Sequence, residues 1–243
     1  KTSVVKELES YILNTTDDNL AIIHLEESIE RSVKGLMSIE ANAPIHIPQF
    51  EKKLSVEQKK ELWQKSVGDK NVYFYDHFGS MSEDSLLNVI RTYAKSFDCK
   101  WIVLDHLSIV VSDQDGILDE RKAIDSIMHR LRTLVEETGC GMILVSHLRR
   151  VDGNRGHENG IETGLSHLRG SQSIAQLSDC VIGLERNQQS DDEIEASTTK
   201  VRVLKSRYTG DVGVATNLLY NGATGRLREL DDYDAAQFDG DII

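Results

Sequence analysis

Four short apolar runs, at residues 20–25, 72–75, 101–104 and 142–145, alternate with amphipathic stretches of helical period. That alternation constrains the chain more than any single motif in it. It is the pattern of a mostly parallel sheet with helices on its faces, so the expected fold class is α/β. Local signals mark several of the helices. Val4, Val5, Leu8, Tyr11 and Ile12 recur at helical spacing near the start. Ser28 suits the N-cap of a helix over 28–42, and Ser55 with Gln58 makes a capping box for one over 55–67. Another helix is expected over 82–96. Ile124, Ile127, Met128, Leu131, Leu134 and Val135 form the clearest stripe, with Gly139 as its stop. Residues 43–53 hold both prolines and read as a loop. The polar, glycine-rich stretch 147–167 reads as a mobile loop. Beyond Cys180 the pattern turns to strands, at 180–184, 199–204 and 214–220, with a hairpin through Asn221-Gly222.

A chain of 243 residues suffices for one large domain with a sizeable core. No apolar run approaches bilayer length, and no signal peptide is visible. Cys99, Cys140 and Cys180 lie far apart, in or beside apolar runs. They read as small buried hydrophobes of a reducing compartment, with neither a metal site nor a disulfide framework. The net charge of −12 argues against a nucleic-acid binder. Its distribution weakens that argument. Glu229, Asp231, Asp232, Asp234, Asp239 and Asp241 crowd the C-terminus without a Lys or Arg among them, and Asp191, Asp192, Glu193 and Glu195 share one loop. The segment from Arg149 to Arg169 is slightly basic.

The strand ends carry the chemistry. Residues 101–104 run into Asp105-His106, residues 20–25 into Glu26-Glu27, and residues 142–145 into Ser146-His147. Open α/β sheets bind ligands at the carboxyl ends of their strands. An ordinary strand-end cap is the competing explanation for Asp105, and a helix-start residue for Glu27. Further on, the run LRGSQSIAQLSDCVIGLERNQQ is followed by the acidic loop and then by TTKVRVLKSRYTGDVG. Lys205 and Arg207 leave a strand just ahead of Thr209-Gly210-Asp211. A planar guanidinium beside a compact ammonium suits a phosphate being transferred. Taken in order, these residues resemble the C-terminal half of the ring-forming replicative DNA helicases. The likeness is strongest to the phage primase-helicases, with bacterial DnaB and mitochondrial Twinkle more distant, and it spans nearly the whole chain.

The resemblance implies a RecA-like P-loop NTPase core over residues 1–228, with added C-terminal antiparallel strands, and an acidic tail over 229–243 that packs no core. It makes Lys1-Thr2 the last two residues of a Walker A loop, so that the chain is cut within that motif. Lys1 then reaches the β- and γ-phosphates, and Thr2 and Asp105 hold Mg²⁺. Glu26, rather than Glu27, polarises the attacking water, and His147 senses the γ-phosphate. Arg207 is the arginine finger that enters a neighbouring subunit's site, with Lys205 as the accompanying cation. Arg186 and Tyr220 hold the nucleotide base. For Tyr220 a half-buried strand aromatic is an equal reading. Arg149, Arg150, Arg155 and His157 belong to a loop that grips single-stranded DNA in the central channel, where Arg169 and Gln176 also reach it. The substrate implied is an NTP or dNTP with Mg²⁺. The partners implied are single-stranded DNA, further copies in a ring hexamer, and the replicative DNA polymerase, met by the acidic tail through Tyr233 and Phe238. A merely solubilising tail is the equal alternative. The expected location is the cytoplasm, that of the host if the chain is phage-encoded, with no membrane partner. Two other functions stay open: another RecA-like ATPase, either a recombinase or a hexamer that does not unwind, and a non-catalytic interaction fragment if the chain natively starts at Lys1.

Overall fold

The computed structural model describes residues 1–77, 81–107, 117–149, 156–168 and 172–230. Arg150, Arg155, Arg169, Tyr233 and Phe238 fall outside these. In chain order the elements are α1 (Thr2–Thr15), β1 (Asn19–His24), α2 (Ile29–Ala41), α3 (Pro48–Glu51), α4 (Val56–Trp63), β2 (Val72–Phe74), α5 (Glu83–Ser96), β3 (Cys99–Asp105), α6 (Ile117–Thr138) and β4 (Gly141–Leu144). There follow α7 (Ser173–Leu177), β5 (Cys180–Glu185), α8 (Glu193–Ser197), β6 (Thr198–Ser206), β7 (Gly213–Asn221) and β8 (Arg226–Glu229).

The expected parallel sheet is present, in the order β2-β1-β3-β4. Successive strand residues face opposite sides, so a strand apolar throughout is buried on both. Ala21 and Ile23 of β1 and Ile102 and Leu104 of β3 pack on Leu86 and Ile90 of α5 and Ile127 and Leu131 of α6. Leu20, Ile22 and Val103 face the other way, onto Val5 and Leu13 of α1 and Leu36 of α2. Truncating a fully buried residue such as Ile23 to Ala would cost about 2–5 kcal/mol. Ser28 and Ser82 cap their helices, and the Ser55–Gln58 capping box is complete. Gly139 stops α6 at a φ of 71°, in the left-handed region where a side chain is strained.

Strands β5 to β8 form a second, antiparallel sheet in sequential order, including the hairpin around Asn221-Gly222. Among the described residues no ladder joins the two sheets, and side chains do the work instead. Arg226 grips Glu7 of α1 bidentately at 2.8 and 2.9 Å and donates to the Ile39 carbonyl at 3.1 Å. Arg132 of α6 donates to Asp179 at 2.7 Å.

Several expectations are corrected. The stretch 43–53 contains α3, started by Pro48, whose fixed φ suits a first helical turn. The acidic loop contains α8, capped by Asp192, whose Oδ1 accepts from Ile194 N at 2.9 Å. Cys180 is exposed, whereas Cys99 and Cys140 are buried. Leu8 and Tyr11 are exposed; the buried face of α1 carries Val5, Lys6, Glu9, Ile12 and Leu13. Glu229 pairs with Leu218 in β8, and Leu230 N donates to the Asn217 carbonyl, so the ordered chain runs past Arg228. The described parts of 147–167 are anchored. Arg149 N donates to the His167 carbonyl at 2.8 Å, and Asn159 bridges to Asn187. Thr163 donates to Glu185 through both its amide and its hydroxyl, across the face of Gly183, where a side chain would collide with it.

Candidate functional site

The register of β1 and β3 sets His24 opposite Asp105, and Leu25 N donates to the Asp105 carbonyl at 2.7 Å. The two strands therefore end together, and Glu26 leaves the same edge as Asp105. Helix α1 starts beside them with neither a side-chain cap nor an acid in its first turn. Its first amides and the positive end of its dipole are thus left for an anion. A cavity of about 380 Å³ opens here, lined by Thr2, Glu26, Asp105 and Tyr220 together with His24 and Glu27.

Charge is unevenly settled around this cavity. Burial pushes the Asp105 carboxyl above the usual carboxylate range, against the pull of His24, His106 and Lys1. Desolvation pushes the Lys1 ammonium below its usual value, against Asp105 and Glu26. A cation between these groups would relieve the buried carboxylate. The two neighbouring glutamates differ sharply. The Glu27 side chain is only 14% exposed, lies 2.7 Å from Lys6 Nζ and 2.9 Å from His24 Nδ1, and accepts from the Ser32 hydroxyl at 2.6 Å. Burial would raise its pKa, but His24, Lys6 and Ser32 hold it well below the usual range. The Glu26 side chain is 54% exposed, and its Oε1 lies 2.6 Å from His106 Nε2. The His147 ring stands against His106, with centroids 4.0 Å apart.

Beneath the cavity lies a buried charge cluster. Besides its Glu27 contacts, His24 places Nε2 at 2.8 Å from Glu9 Oε1, and Lys6 Nζ lies 3.4 Å from Glu9 Oε2. Burial disfavours the His24 imidazolium, yet Glu27 and Glu9 outweigh it and raise its pKa. Sequence reading missed Lys6, Glu9, His24 and His106. The available signal was a histidine closing each of two apolar strands, because a buried imidazole requires partners.

The remaining candidates lie apart from the cavity, except Tyr220, which is half-buried in its lining. Arg186 donates to the Ala196 carbonyl at 2.6 Å, and its charge is felt at the N-terminus of Lys1. Lys205 Nζ donates to the carbonyls of Ala175, Gln176 and Ser178 at 2.6, 3.1 and 2.8 Å. Arg207 donates to the Gln176 carbonyl at 2.8 Å and pairs with Asp179 at 3.0 Å. Within one chain, both cations are thus held at the end of α7. Arg149 and Gln176 are exposed. His157 folds back on its own loop, its Nε2 3.1 Å from the Arg149 carbonyl.

Comparison with known proteins bears on the family and the fold. Residues 1–229 match the DnaB-like helicase C-terminal domain. The chain is 36% identical over 219 residues to a DNA helicase/primase of Enterobacteria phage T3, covering 89% of this chain and 38% of that protein. The chain therefore spans well under half the length of that curated relative. Among solved structures, one described as an ATPase domain superposes with a TM-score of 0.75 at 20% identity, covering 95% of this chain and 81% of that one. A DnaB-like replicative helicase, solved in a study of its interactions with primase, gives 0.73 at 18% identity, covering 95% and 54%. A KaiC-like protein from Pyrococcus horikoshii gives 0.62 at 14% identity, covering 95% and 83%. The fold is RecA-like, and with the family match spanning nearly all of its length the chain belongs to the DnaB-like helicase C-terminal domain family.

Proposed function

We propose that residues 1–228 are the motor of a ring-shaped replicative helicase that hydrolyses an NTP or dNTP and moves along single-stranded DNA, unwinding duplex ahead of it. The observation that carries this reading is the meeting of Thr2, Glu26 and Asp105 in one cavity beside the uncapped start of α1. Phosphates sit at that helix start, with Lys1 beside them. The Thr2 hydroxyl and Asp105 suit Mg²⁺, and the desolvated Asp105 carboxylate fits that role. When bound, Mg²⁺ supplies neutralisation of phosphate charge. Glu26, solvent-facing where Glu27 is locked, polarises the attacking water and passes its proton toward solvent. His147, close by, reports the state of the γ-phosphate to the loop that starts at Leu148. Tyr220 and Arg186 hold the base. Arg207 and Lys205 act on the nucleotide of a neighbouring subunit in a hexamer, which accords with their not lining their own chain's cavity. Arg149, Arg150, Arg155, Arg169 and Gln176 contact the DNA strand. The acidic tail meets the replicative polymerase, and the whole acts in the cytoplasm.

Two variants of the full-length protein test the reading. Glu26→Gln should bind nucleotide yet lose about 10²-fold or more in hydrolysis. Arg207→Ala should lose roughly 10³- to 10⁵-fold while still assembling. Mixed rings of the two should regain activity, since some interfaces pair one intact half from each. Near-normal turnover of Glu26→Gln, or no rescue where subunits demonstrably exchange, would overturn these roles. Strand displacement by the wild type separates a helicase from a ring that only hydrolyses.

A further inference from the structure

Three side chains from three strand ends converge at the edge of the cavity, and neither Thr2 nor Asp105 is among them. Glu26 follows β1, His106 closes the turn after β3, and His147 follows β4. One ligand atom from each lies within 4.8 Å of the other two. The closest pair, Glu26 Oε1 and His106 Nε2, is 2.6 Å apart, a separation that holds a proton between them. A tetrahedral ion bound at about 2.0–2.1 Å would need ligand atoms roughly 3.3 Å apart. The close pair must open by less than about 1 Å and the widest gap must shrink by about 1.5 Å. His106 is buried, whereas Glu26 is half in solvent and His147 half-buried, so the carboxylate can move most and the His147 ring would exchange its present contacts for the ion.

We propose that Glu26, His106 and His147 form a second divalent-cation site, selective for imidazole-preferring ions such as Zn²⁺ over Mg²⁺, and that its occupation halts hydrolysis. The halting rests on the role of Glu26 given above; the binding does not. Two imidazoles and one carboxylate match Zn²⁺, Co²⁺ and Ni²⁺, whereas Mg²⁺ takes hard oxygen donors and keeps its waters. Three protein ligands leave a fourth position to water. The ion takes the place of the Glu26–His106 hydrogen bond, the proton of that bond leaving to solvent or moving to His106 Nδ1, and the carboxylate then coordinates metal instead of polarising the attacking water. His106 Nδ1 makes no hydrogen bond among the described residues, so the site lacks the outer partner that tightens resident zinc centres. Binding is therefore expected to be reversible and roughly 10- to 100-fold weaker than at a centre with such a partner.

The test is titration of the 243-residue chain with Zn²⁺ by calorimetry, and with Co²⁺ by visible absorption, in excess Mg²⁺. One ion per chain is expected. His147→Ala and Glu26→Gln should each weaken binding at least about tenfold, the scale on which even outer-shell partners act. Both positions are partly exposed, so these variants keep the core intact, which the buried His106 does not allow. His157 and His167 pack edge to face elsewhere, 5.4 Å apart, and offer a rival imidazole pair. The double variant His157→Ala/His167→Ala should bind as the wild type does. Wild-type affinity in His147→Ala and Glu26→Gln, loss of binding in the rival-pair variant, or displacement by Mg²⁺ would overturn the site. In the full-length protein, Zn²⁺ should block hydrolysis with nucleotide binding retained. Binding at these residues with undiminished hydrolysis would uphold the metal site and overturn the role of Glu26.

Discussion

Replacing Lys6 by methionine removes one cation from the buried cluster while keeping a side chain of similar length. In the wild type, Lys6 and His24, whose pKa is raised, face Glu9 and Glu27, with Lys6 Nζ 2.7 Å from Glu27 and 3.4 Å from Glu9. Without Lys6, His24 alone is left to face the two acids, and Glu9 is fully buried. Removing one partner of a buried pair costs about 3–5 kcal/mol, because a charge is left uncompensated. At about 2–4 °C per kcal/mol for a domain of this size, the melting temperature should fall by roughly 6–20 °C. Lys6→Met/Glu9→Gln restores the balance and should recover more than half of the loss. Urea unfolding of the two single variants, the double variant and the wild type measures the coupling directly. The pH dependence carries a sign. His24 is raised, so its contribution is full below an unfolded pKa of about 6.5 and fades as pH rises through the folded value. Glu27 is depressed, so its contribution is full above about 4.3 and fades as pH falls through the folded value. The cluster should thus stabilise most between about pH 4.5 and 6.5. A loss under about 1 kcal/mol, the scale of exposed pairs, or an additive double variant would refute the reasoning.

Asp105→Asn should raise the melting temperature at neutral pH while abolishing Mg²⁺-dependent nucleotide binding, since burial penalises the charged carboxyl. A lower melting temperature in calorimetry would show that His24, His106 and Lys1 outweigh that penalty. Neutralising Arg149, Arg150 and Arg155 together should reduce the salt slope of single-strand binding by about 2, at roughly 0.7 per phosphate contact. An unchanged slope would place the DNA elsewhere. Deleting residues 231–243 should leave hydrolysis intact and weaken polymerase association, most visibly at low salt. Equal affinity of the shortened and full chains at low salt would leave the tail without that role.

The parallel sheet was legible because each of its strands carries an uninterrupted apolar run bounded by polar residues. The helices were legible where a cap or stop residue marked them, as at Ser28, Ser55, Ser82 and Gly139. Helix α1 misled for a physical reason. Its buried stripe contains Lys6 and Glu9, which look like surface residues until His24 is known to lie against them. Spacing does not separate Glu26 from Glu27; the resemblance favours Glu26, and the partners that immobilise Glu27 are visible only in the fold. The convergence of Glu26, His106 and His147 is likewise invisible along the chain, because strand order, not sequence distance, brings them together. The attachment of Lys205 and Arg207 to α7 rests on backbone carbonyls, which carry no residue-type signal at all.

That attachment bears on how a machine of this kind would transmit work. A helix as short as α7 cannot satisfy its own terminal carbonyls, and here two cations at the end of β6 do so for it. The strand and the helix are therefore coupled with little slack. If Arg207 and Lys205 turn toward a phosphate across an interface, the carbonyls of Ala175, Gln176 and Ser178 lose donors in the same movement. Displacement at the strand end would reach the exposed face of α7 as a short, stiff stroke and not dissipate in the intervening chain. Removing the Lys205 grip on the α7 carbonyls should then loosen that coupling, so that the end of β6 moves without carrying α7 with it.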